Sequence, residues 1–93
     1  MTTLDGITKA VERAVRCSVT HLRSTPVVET IGGQVVWEGV VEEFSVWLPP
    51  PKIVFAWALN DESEPRYVTV DATENIKTPL DAVRLWIEGQ SRK

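Results

Sequence analysis

The stretch Pro26-Val27-Val28-Glu29-Thr30-Ile31-Gly32-Gly33-Gln34-Val35-Val36-Trp37 reads as two β-strands joined by a two-residue turn. Val, Thr and Ile favour extended backbone, and paired glycines tolerate the positive φ that a tight hairpin turn demands. The first strand is short, Pro26 to Ile31, and the second is long, Gln34 to Trp47. Along the long strand Val35, Trp37 and Val41 share one phase while Phe44, Val46 and Leu48 share the other. A bulge near Gly39 or Glu42-Glu43 is therefore expected to reset the alternation. Pro49-Pro50-Pro51 must end the strand, because proline has no N–H to give a ladder.

Working outward, Lys52 to Leu59 is apolar on both faces, with Ile53, Phe55, Trp57 and Leu59 on one and Val54, Ala56 and Ala58 on the other. That is the pattern of a central strand. Asn60 to Pro65 reads as an acidic turn, and Arg66 to Ala72 as a further strand. Thr78-Pro79-Leu80-Asp81 carries a helix start, with a hydroxyl cap, a proline at the first helical position and a carboxylate at the third. Leu80, Val83, Trp86 and Ile87 form its apolar stripe, which Gly89 is expected to end. At the other end, Leu4, Ile7, Val11, Ala14, Val15, Ser18 and Leu22 recur at helical steps, with Thr2 or Thr3 as the cap. Asp5/Lys9 and Glu12/Arg16 are spaced for ion pairs, and the helix is expected to run until Ser24-Thr25-Pro26 halts it. The fold expected is α+β, one domain over residues 1–93: helix, short hairpin strand, three-stranded antiparallel meander, helix, with both helices on one sheet face.

Composition narrows function mainly by exclusion. With 93 residues, 43% apolar and 25% charged, the chain matches an ordinary folded domain and has room for one modest core. One Cys and one His exclude an internal disulfide and fall short of a structural zinc site. No cofactor is expected. The opening residues lack a basic segment followed by an apolar one, and the longest apolar run, Ile53 to Leu59, is far below the ~20 residues that cross a bilayer. A cytoplasmic protein with no membrane contact is expected. Residues 1–25 carry a net +2, residues 26–76 a net −7 and residues 77–93 a net +2, so no concentrated basic patch for nucleic acid exists.

Polar clusters are sparse. Cys17 and His21, four apart on the expected helix, share a face but lack a third orienting group. Adjacent Glu42 and Glu43 point to opposite faces of a strand and cannot work as an acid/base pair. Asp61, Glu62 and Glu64 lack the alternation and central glycine of a calcium loop. Gly32-Gly33 is followed by no helix start, so it is a turn and not a phosphate cradle. An enzyme is not expected from this inventory.

Glu29 to Phe44, with Trp37-Glu38-Gly39-Val40, then Phe55-Ala56-Trp57 and Thr78-Pro79-Leu80-Asp81-Ala82-Val83-Arg84, resembles a group of short bacterial hypothetical proteins over residues 26 to 88. The resemblance implies no function, and Leu48-Pro49-Pro50-Pro51-Lys52 departs from the Gly-His-Pro-Lys-like turn of that group. The element order is also similar to that of the double-stranded RNA-binding domain, which implies an RNA-binding alternative. The residues that would carry it are few, Lys77 at the last helix and Lys52 after the long strand. The remaining signal is the four tryptophans. Trp86 belongs to the helix stripe, while Trp47, Phe55 and Trp57 are either core or the anchors of an interaction surface, a homodimer through the sheet or an unidentified protein partner. The function expected is protein–protein interaction or self-association.

Overall fold

In the computed structural model, which describes residues 4–59 and 66–91, a helix α1 (Leu4–Val15) precedes four strands and a second helix. The strands β1 (Val19–Ile31), β2 (Gln34–Val46), β3 (Lys52–Leu59) and β4 (Arg66–Asp71) form one antiparallel sheet in the order β1-β2-β3-β4, and α2 (Pro79–Ser91) follows. The class is α+β, with the expected meander. The expected caps at Thr2 or Thr3 and the acidic turn Asn60 to Pro65, with Asp61, Glu62 and Glu64, lie outside the described residues.

The largest departure is the first strand, which spans thirteen residues and takes over what helical periodicity assigned to the first helix. Seven of those thirteen are Val, Thr or Ile, whose branched Cβ atoms fit a pleated surface better than a helix. The helix stops at Val15, where Arg16 adopts a left-handed φ of 55° and turns the chain into the sheet. The Asp5/Lys9 pair forms at 3.4 Å, but Arg16 lies beyond the helix that was to hold its partner. Pro26 does not stop an element. It sits inside β1 opposite Val40, and it is tolerated there because β1 is an edge strand.

The hairpin turn is as expected, with Gly32 and Gly33 at φ of 60° and 81°. The reset expected near Gly39 or Glu42-Glu43 does not occur: from Trp37 to Val46 the long strand alternates regularly, with Trp37 and Val41 on one side of the sheet and Phe44 and Val46 on the other. The bulges of this ladder lie outside that stretch or on the partner strand. In the β1–β2 ladder Leu22 is the extra residue between His21/Phe44 and Arg23/Glu43, and Val36 the extra one between Glu29/Trp37 and Thr30/Val35. Thr78 and Asp81 close the expected capping box: the Asp81 N–H donates to Thr78 Oγ1, and the Thr78 and Lys77 N–H groups donate to Asp81 Oδ2, all at 3.2 Å. The helix runs through Gly89 to Ser91 instead of ending there.

The helices do not share a face. Val27, Val41, Phe55 and Trp57 pack with Ile76, Ala82 and Val83 of the α2 side, whereas Phe44, Val46, Val54 and Ala56 pack with Ile7 and Val11 of α1. Alternate residues of β3 thus enter two separate clusters, one on each side of the sheet. A central strand that is apolar on both faces requires cover on both, and a helix on each side supplies it. Among the described residues no helix is long and apolar enough to cross a membrane.

Candidate functional site

Three glutamates are buried, Glu29, Glu42 and Glu43, and each has a partner. A carboxylate taken out of water is tolerated only where donors replace the lost hydration. On the α2 side, Arg84 Nε donates to Glu29 Oε2 in a short contact and the Thr30 N–H donates to Oε1 at 3.0 Å. On the same side Arg23 reaches Glu43 at 3.3 Å across the ladder. On the α1 side, His21 Nε2 lies 3.0 Å from Glu42 Oε1, and Ser24 Oγ donates to that same oxygen in a short contact. Glu42 and Glu43 therefore point to opposite faces, as adjacent strand residues must.

The bulge at Leu22 builds the α1-side cluster. His21 and Ser24 are three apart and would point to opposite faces of a regular strand, but the extra residue brings both round to Glu42. Serine, histidine and carboxylate in one cluster invite comparison with a nucleophilic relay, which needs the carboxylate on one ring nitrogen and the hydroxyl on the other. Here both crowd the same Nε2, with Ser24 Oγ at 3.4 Å, and both His21 and Ser24 converge on one glutamate oxygen. What the arrangement does is satisfy a buried carboxylate. Cys17 lies in the turn after α1, packed on the α1-side cluster, so the helical face it was expected to share with His21 does not exist.

The carboxyl of Glu29 is held below its ordinary value, first by the Arg84 hydrogen bond and further by the Thr30 N–H, against the opposing effect of desolvation. Asp81 is lowered chiefly by the Lys77 N–H and then by Thr78. A carboxyl with a depressed folded-state pKa contributes stability above its unfolded pKa and loses it as the pH falls toward the folded one. Urea midpoints are expected to be flat from neutrality down to about pH 5 and to fall below it. Glu29→Gln should shallow that acid slope, and a variant as acid-sensitive as the parent would remove Glu29 from the account.

Of the three residues read as anchors, the structure places Phe55 and Trp57 under α2, both essentially inaccessible, and this corrects their assignment to an open sheet face. The second helix covers the surface they would have offered. Trp47 is different: 66% of it is exposed, its backbone N–H donates to Ser18 O at 3.0 Å, and its indole Nε1 donates to Thr20 Oγ1 at 2.6 Å. Beside it Leu48 and Pro49 to Pro51 are exposed. Sequence reasoning missed a second apolar surface at the far end of the hairpin, where Val28, Ile31, Val35, Val36 and Val40 stand exposed. The adjacent pairs Val27-Val28, Val35-Val36 and Val40-Val41 were the available signal, since strand neighbours face opposite sides of the sheet. Among the described residues no group of three or more His, Cys, Asp or Glu side chains is placed to hold a metal.

No family model, curated protein or solved structure matches this chain. The reading of its surface rests on its own residues.

Proposed function

We propose that the chain is a small protein-interaction module anchored on Trp47. One observation carries this reading: a tryptophan two-thirds exposed, with its ring already tethered to Thr20, flanked by exposed Leu48 and three exposed prolines. Tryptophan is among the side chains most enriched at binding hot spots, and a ring fixed before binding loses little conformational freedom on docking. Self-association in the cytoplasm, with a second copy as partner, is the form of this reading to test first. A concentrated basic surface would favour RNA instead, but Lys52 is already engaged with Asp71 at 3.1 Å, and helices on opposite faces cannot jointly present one basic side.

The test is solution mass by light scattering over a concentration series, at low and high salt. The parent is expected to rise above its 10.4 kDa monomer mass as concentration increases, insensitively to salt. Trp47→Ala should weaken that association by about 2 kcal/mol while moving the urea midpoint by no more than about 0.5 kcal/mol in equivalent stability. A parent that stays monomeric overturns self-association. A Trp47→Ala protein that loses stability and keeps its assembly makes Trp47 structural.

A further inference from the structure

β2 has thirteen residues but pairs with β3 only over Glu42 to Val46, opposite Lys52 to Ala56. β3 continues as a strand to Leu59, paired there with β4 alone. The two central strands thus part company after Ala56, and a slot of about 350 Å³ opens between them. One wall is Trp37, Glu38, Gly39 and Val40, and the other is Ala58 and Leu59. Successive strand residues point to opposite faces, so a wall made of four consecutive residues is the edge of the strand, where backbone N–H and C=O groups lie. Among the described residues no strand lies between these two facing edges, which form a template for an extended segment.

Charge selects the segment. Glu42 lies in the slot with its carboxylate already shared by His21 and Ser24. Glu38 is exposed at the slot, and no ion pair to another described residue engages it. Leu4 and Ile7 of α1 supply an apolar wall. We infer that the slot takes an extended segment of a partner protein, adding a strand to β2, with an apolar side chain toward Leu4 and Ile7 and a Lys or Arg toward Glu38. This site is separate from Trp47 and does not depend on that surface.

The probes are two synthetic peptides, acetyl-Val-Thr-Lys-Thr-Val-amide, which as a strand presents Val and Lys on one face as Leu4, Ile7 and Glu38 require, and its Glu counterpart, followed by tryptophan fluorescence and by amide hydrogen exchange. The Lys peptide is expected to bind saturably and to slow exchange at residues 37–40, the Glu peptide to do neither. Glu38→Lys, at an exposed position, should weaken the Lys peptide about fivefold or more, and Glu38→Gln should fall between the two. Trp47→Ala should leave peptide binding unchanged, which separates this site from the surface proposed above. Equal binding of both peptides, or binding without protection of residues 37–40, overturns the inference. Self-association abolished by Glu38→Lys would also overturn it, by making a second copy the occupant.

Discussion

Trp57→Ala is expected to lower stability by about 3–5 kcal/mol, which is a large part of the ~5–15 kcal/mol that holds a domain of this kind folded. Trp57 is fully buried and is the largest such side chain among the described residues. It stands between Trp37, at 5.8 Å and 70°, and Trp86, at 6.1 Å and 85°, an edge-on geometry on both sides. Such pairs add roughly 0.5–1.5 kcal/mol each beyond the area they bury. Truncation removes both contacts and leaves a cavity under α2 that neighbouring strands cannot close. The indole Nε1 has no hydrogen-bond partner among the described residues, so part of the gain from burying the ring is offset by a dry N–H. Trp57→Phe keeps most of the ring and removes that N–H, and it should cost much less than Trp57→Ala. Urea titrations of the two variants check this, and a Trp57→Ala midpoint within about 1 kcal/mol of the parent would mean that the Trp37–Trp57–Trp86 row is not the core of the α2 side.

Gly39→Ala is expected to cost about 1–3 kcal/mol although the change adds only one methyl. A Cβ at position 39 would come within 2.9 Å of Trp37 Cη2 and 3.1 Å of Cζ2, closer than carbon atoms approach without one giving way. Trp37 lies two residues earlier on the same strand, so its ring folds over the bare backbone of Gly39. That ring is seated edge-on against Trp57, so a shift that makes room for the methyl disturbs this contact. Near-ultraviolet circular dichroism should therefore change along with the urea midpoint. A Gly39→Ala protein with an unaltered tryptophan spectrum and full stability would show that the ring does not cover this position.

The parts of the fold that are legible in sequence are those where local chemistry admits one answer. Gly32-Gly33 between β-branched runs specifies a tight turn, and Thr78-Pro79-Leu80-Asp81 satisfies its own helix-start N–H groups. Lys52 to Leu59 announces itself as a strand with the bounds it has in the structure. Periodicity overextends the first helix because Val15, Ser18 and Leu22 keep a helical step by coincidence, while Val19, Thr20, Thr25 and Val27 prefer the sheet and find a thirteen-residue partner in β2. That partnership is long-range and invisible to periodicity. The placing of both helices on one face fails for a related reason. Two apolar faces on Ile53 to Leu59 suggest leftover surface for a partner, when they mean two layers of cover. Trp47 and Trp57 look alike as strand tryptophans, and only the position of α2 over one and not the other distinguishes them. The His21–Ser24–Glu42 cluster is out of reach of sequence, since it depends on a bulge at Leu22 that no residue there announces.

With one helix on each side of the sheet, the two helical surfaces look in opposite directions. A label carried at exposed Lys9 of α1 faces away from one carried at exposed Glu88 of α2, with the thickness of the sheet between them. Two different molecules tethered one at each helix would be held apart, and the chain would act toward them as a spacer.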